Sequence, residues 1–120
     1  MRKITDHIAN PVNDRIEITA QGDIGRGGEN VNYLVEVPDD DACTVDIYFQ
    51  NGPIAEVGVN GVTNEVLLAI VIDRLRSLQA GPFKCDDNDY ALFAAEDALH
   101  WLKERTRDRM ERGVEGTSAA

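Results

Sequence analysis

The feature that most constrains this chain is a change of hydrophobic period near its midpoint. Ile16 and Ile18 alternate with Glu17 and Thr19. Val31, Tyr33, Val35 and Val37 alternate with Asn32, Leu34 and Glu36, and Cys43, Val45, Ile47 and Phe49 alternate with Thr44, Asp46, Tyr48 and Gln50. Successive side chains of a strand point to opposite faces, so a period of two marks half-buried strands. The breaks read as turns: the glycine-rich stretch 21–30, Pro38-Asp39-Asp40-Asp41, and Asn51-Gly52, a dipeptide suited to a tight hairpin. Residues 54–59 continue the series as a fourth strand, and an antiparallel meander is the simplest topology for residues 12–60.

Past Thr63 the period becomes helical. Thr63 reads as an N-cap with Glu65 in the first turn, and Leu67, Leu68, Val71, Ile72, Leu75 and Leu78 recur at helical spacing until Gly81-Pro82. Val66 and Ile70 widen the apolar surface beyond one stripe, so this helix needs cover on two sides, from the sheet and from a second helix or another subunit. The second helix starts near Asp87 or Asn88 and ends at Gly113, with Leu92, Ala95, Leu99, Leu102 and Met110 on its core side. The fold class is therefore α+β: an N-terminal antiparallel sheet of about four strands, then a two-helix C-terminal hairpin over residues 62–113. The 120 residues suit a single domain. Residues 114–120 are small and polar, the composition of a disordered peripheral tail.

A net charge of −10 argues against long nucleic acid as a partner, because neutralising a phosphate backbone needs a broad basic surface. The charge is uneven, however. Residues 98–113 carry five basic groups (Lys103, Arg105, Arg107, Arg109, Arg112) against three acidic ones (Glu104, Asp108, Glu111). A local basic patch on an acidic chain suits a small anion. No apolar run is long enough to span a membrane, and the N-terminus lacks the apolar stretch of a secretory leader, so the expected location is the cytoplasm and no membrane partner is expected. Cys43 and Cys85 read as reduced, partly buried thiols outside any metal-ligand spacing. His7 and His100 belong to no triad or metal pattern, so the residues support neither catalysis nor a metal site, and no cofactor is implied.

At 100° per residue, Trp101, Arg105, Arg109 and Arg112 fall within roughly 80° of one another, away from the core side of the second helix. Arginine forks aimed in one direction suit phosphate oxygens, and the indole could stack on a base. The same spacing equally describes a solvated face on which Glu104, Asp108 and Glu111 pair with the arginines. Gly22-Asp23-Ile24-Gly25-Arg26-Gly27-Gly28 lacks the ending of a P-loop and opens no helix, which favours a hairpin loop. Asn60 and Gly61, ahead of the first helix, could offer amides to an anion or serve only as turn residues.

Six segments from Phe49 onward carry a resemblance: Phe-Gln-Asn-Gly-Pro-Ile at 49–54, Glu-Val-Gly-Val-Asn-Gly at 56–61, Gln-Ala-Gly-Pro-Phe at 79–83, Ala-Leu-His-Trp-Leu at 98–102, and Arg-Thr-Arg-Asp-Arg at 105–109 with Arg-Gly-Val-Glu-Gly-Thr at 112–117. Together they resemble the phage Thoeris anti-defence sponges, whose C-terminal helical hairpin is shared with phage sponges against CBASS immunity. The resemblance implies a protein of the host bacterial cytoplasm that sequesters cyclic ADP-ribose isomers made by TIR enzymes, binding without degrading them. It also implies capture of cyclic di- or trinucleotides at separate sites and assembly as a dimer or higher homo-oligomer. By the same resemblance Arg105 and Arg109 match an arginine pair that grips ligand phosphates, and Asn88 matches a polar contact ahead of the second helix. Leu78 stands where relatives often carry phenylalanine, a departure that leaves Trp101 or Phe83 as stacking substitutes. An enzyme degrading the same signals, and an oligomeric interaction module, are the competing readings.

Overall fold

A computed structural model describes residues 1–117, which divide after Val62 into two compact units. The first unit holds a four-stranded antiparallel meander in the order β1 (Arg2–Ile4), β2 (Glu17–Ile24), β3 (Asn30–Glu36) and β4 (Val45–Tyr48). Ile18 pairs with Val35 and Ala20 with Tyr33, so the alternation read from the sequence is the register observed. Ala20 and Val31 are buried here, and Tyr33 meets Phe49 edge to face at 5.6 Å. Buried Asn32 is satisfied in place: Gln21 Nε2 donates to its Oδ1 at 2.8 Å, and its own Nδ2 donates to the Ile47 carbonyl at 3.1 Å. An unpaired amide there would cost about 1–3 kcal/mol, which explains the cross-strand network.

Two expectations are corrected. Residues 54–59 are not a strand: Ile54–Val57 form a single helical turn, α1. The fourth strand is instead β1, three residues at the other edge of the sheet. The reason lies in the 50–62 loop, which is closed by its own polar groups. Asn51 N donates to Asn60 Oδ1 at 2.8 Å, Asn60 Nδ2 returns to the Asn51 carbonyl at 2.7 Å, and Gln50 exchanges bonds with Asn60 N and the Gly58 carbonyl. With those backbone groups satisfied, the chain closes a loop rather than a hairpin, although Gly52 does adopt the positive φ of 90° expected of it. The loop ends on a parallel bridge of Phe49 with Val62.

In the second unit α2 spans Asn64–Gln79 and α3 spans Asp86–Glu111. Thr63 caps α2 as its sequence indicates, its hydroxyl accepting from Val66 N at 3.3 Å. Gln79 fastens the turn between the helices: its Nε2 donates to the Cys85 carbonyl at 2.8 Å and to Asp89 Oδ1 at 2.6 Å, and its Oε1 accepts from Cys85 N at 3.1 Å. Arg76 bonds Glu96 across the pair at 2.7 Å. Ile72, 2% exposed, lies at the centre, with Leu92, Ala95, Leu99 and Leu102 half-buried on α3. Met110, expected in this core, is 63% exposed. Because α3 has 26 residues against 16 in α2, its last turns run beyond the helix that would cover Met110.

The two cysteines are free and exposed, a correction to their expected partial burial. The Cys43 thiol donates to Asp40, whose carboxylate holds its pKa above the ordinary thiol value. Of the expected tail, Ser118–Ala120 lie outside the described residues, while residues 114–117 turn back over the end of α3. No helix among the described residues is long and apolar enough to cross a membrane.

Candidate functional site

Seven of the nine residues singled out as ligand contacts belong to the helical hairpin, and their placement follows from its register. Leu92, Ala95, Leu99, Leu102, Thr106 and Arg109 step by three and four along α3, which is the spacing of one continuous helix face. Arg109 is the last member of that face. It is only 8% exposed, the one buried charged side chain among the described residues. Its Nε donates to Glu115 Oε2 at 3.0 Å, and its Nη2 donates to the carbonyls of Val114 at 3.0 Å and Thr117 at 3.1 Å. A guanidinium taken out of water must find such acceptors, and here the chain supplies them by turning back.

Arg105 lies one turn earlier and is exposed, with no hydrogen bond or ion pair among the described residues. Arg112 is exposed and bonds Asp108 Oδ2 at 3.0 Å. Arg107 pairs with Glu104 on the helix surface. The charge-paired reading thus describes Arg107 and Arg112, and not Arg105. Trp101 is 64% exposed and packs edge to face on His100, ring centroids 5.1 Å apart. Its indole face can receive a planar group.

The other hairpin candidates gather towards the closed end. Asn88 is half-buried in the first turn of α3, Leu78 ends the exposed side of α2, and Phe83 projects from the connecting turn. Leu78, Phe83 and Asn88 thus lie at one end of the helix pair, while Arg105, Arg109 and Arg112 lie towards the far end of α3, some 17 residues or about 25 Å from Asn88 at 1.5 Å per residue. One small ligand cannot touch both groups on a single chain.

Asn60 and Gly61 belong to the first unit, and their conformation is explained locally. The Asn60 amide is engaged with Asn51 on both its atoms. A Cβ on Gly61 would stand 2.4 Å from the Phe49 carbonyl carbon, so glycine is what lets the Phe49 and Val62 backbones meet. In the glycine-rich loop, Gly25 N donates to the Glu29 carbonyl at 2.7 Å and Gly28 N to the Gly25 carbonyl at 3.0 Å, so these amides close the β2–β3 hairpin. Among the described residues no group of His, Cys, Asp and Glu is arranged to hold a metal ion.

Sequence reasoning missed two residues: Gln79, which fastens the hairpin turn, and Glu115, which holds Arg109. Both fall in segments already noted for their resemblance, but nothing in their spacing assigns them a partner.

The profile of the Acb2/Tad1 hairpin domain matches residues 41–107, more than half of the chain. The chain belongs to the Acb2/Tad1 hairpin family. The matched stretch includes β4, α2 and most of α3; it takes in Arg105 and stops short of Arg109. A relative from Bacillus phage SBSphiJ7, described as Thoeris anti-defense 1, is 46% identical over 93 residues, which cover 78% of this chain. The matched region spans 64% of that relative's length.

Proposed function

We propose that this chain is a phage anti-defence protein that binds cyclic nucleotide immune signals in the host cytoplasm and holds them without chemical change. The observation that carries the reading is the pair of arginines in a hairpin of this family: Arg105 exposed, and Arg109 one turn on with its guanidinium already gathered around a carboxylate and two carbonyl oxygens. Those are the donors a phosphate would use. Cyclic ADP-ribose isomers are the proposed ligands, the class implied by the resemblance to Thoeris sponges. Cyclic di- or trinucleotides are proposed as further ligands. Asn88, Leu78, Phe83 and Trp101 are proposed to contact the nucleoside parts, and Arg112 to strengthen the local field.

Because Asn88 and Arg105 lie far apart along one α3, we place the complete site between copies of the chain in a homo-oligomer. Binding of this kind acts by mass action, so inhibition should scale with the ratio of protein to signal. The deciding experiment is to incubate the protein with TIR-made and cyclase-made signals, denature it, and weigh what is released by mass spectrometry. Intact signal in stoichiometric yield is expected. A new product formed by substoichiometric protein would mean an enzyme, and no bound nucleotide at micromolar protein would mean an interaction module.

A further inference from the structure

The end of α3 is built as a Schellman cap. Val114 N donates to the Arg109 carbonyl at 3.0 Å and Gly113 N to the Met110 carbonyl at 3.0 Å, with Gly113 at φ 72°. Gly116 also takes a positive φ, 80°, and Thr117 N closes a further turn on the Val114 carbonyl at 3.1 Å. These two left-handed residues reverse the chain twice in four positions. The reversal carries Glu115 onto Arg109.

An ordinary cap needs only backbone bonds. This one also occupies the Nε–Nη2 edge of the guanidinium, the edge whose N–H groups can meet an oxyanion side by side. On that edge Glu115 Oε2 meets Nε while the Val114 and Thr117 carbonyls meet Nη2, so a carboxylate oxygen already stands where one phosphate oxygen would. Arg109 is buried beneath it, whereas Glu115 itself is part-exposed. An incoming anion therefore meets Glu115 first.

We propose that the 113–117 turn is an intramolecular lock, in which Glu115 occupies the ligand-phosphate position on Arg109 until a bound ligand displaces it. The proposal rests on the reading of Arg105 and Arg109 as the ligand's phosphate contacts. The exchange conserves charge pairing at Arg109, one anion leaving as another arrives, and Gly113 is the hinge about which the turn opens. A lone phosphate has little besides charge with which to dislodge Glu115. A cyclic nucleotide that also engages Arg105 and an aromatic ring has more, so the lock discriminates against small anions abundant in the cell. Its cost is a lower apparent affinity, because only the open fraction binds.

The test uses the full chain and a TIR-made cyclic ADP-ribose isomer, with inorganic pyrophosphate as a second probe. Calorimetry compares the unmodified protein with Glu115→Gln, Glu115→Ala and Arg105→Ala, and thermal melting reports folding. The expected result is that both Glu115 variants bind the cyclic nucleotide about three- to tenfold more tightly and gain measurable pyrophosphate binding. Saturating ligand should also speed amide exchange at Val114 and Thr117 in the unmodified protein. Equal or weaker affinity in folded Glu115 variants overturns the lock and makes Glu115 a staple of the helix end. If Arg105→Ala weakens binding while Glu115→Gln gains nothing, the lock alone fails. If no variant binds either probe, the lock and the reading beneath it both fail.

Discussion

Truncating Arg109 to alanine removes its hydrogen bonds to Glu115, Val114 and Thr117, whereas truncating Arg105 breaks no bond among the described residues. The two single variants should therefore separate stability from binding. Arg109→Ala is expected to cost about 1–3 kcal/mol in urea unfolding, and Arg105→Ala close to nothing. For the cyclic nucleotide, Arg105→Ala should weaken binding at least tenfold by calorimetry, the worth of a charge-assisted bond, while Arg107→Ala, which removes the ion pair with Glu104, should bind normally. Equal stability loss in both variants would show that the burial of Arg109 carries no weight. Asp14 offers a smaller test at this scale. Its carboxylate accepts from Asn10 N at 2.6 Å and Ala9 N at 2.8 Å, and these bonds, with a lesser contribution from His7, hold its pKa below the usual value. A depressed folded pKa stabilises above the unfolded value and is lost as pH falls through the folded one. Amide exchange at Ala9 and Asn10 should therefore quicken at acidic pH once intrinsic rates are divided out, and Asp14→Asn should abolish that dependence.

The elements differ in how firmly the sequence announces them. Gly61→Ala would drive a methyl into the Phe49 backbone, so the Phe49–Val62 bridge should open and the protein lose about 1–3 kcal/mol, measured by urea unfolding. Thr63→Ala should cost about 1 kcal/mol through the lost N-cap of α2. The cap at Thr63 was legible because it precedes an unbroken apolar period, and the core strands were legible because Ile18, Tyr33 and Val35 alternate strictly. Residues 54–59 were misread because the side-chain amides of Gln50 and Asn60, which close their loop, leave no mark on hydrophobic periodicity. Strand β1 has three residues, too few to show a period at all. Arg109 lies angularly between the Trp101 stripe and the Leu102 face, and residue type favoured the first. Its burial was settled by the acceptors of the 114–117 turn, a contact that local spacing does not encode.

At the scale of the whole molecule, large apolar groups remain uncovered on one chain. Ala20, Val31 and Ile72 are its only buried hydrophobic residues among those described, while Phe93 and Tyr90 are each 73% exposed on α3. The homo-oligomer proposed above would cover such groups, and light scattering at micromolar concentration should return a multiple of 13.2 kDa. Phe93→Ser should shift the population towards monomer, and a strict monomer in the unmodified protein would remove the basis for a shared site. The two outer strands of the meander bear on a different demand. A protein that works by stoichiometry must be made in amounts that match its target, so crowding against its own copies during synthesis becomes part of its working condition. Strands β1 and β4 have three and four residues, carry Lys3 and Asp46, and offer too little open ladder to template strand addition. Together with a charge of −10, that makes the sheet edges poor seeds for aggregation, as the proposed stoichiometric binding would require.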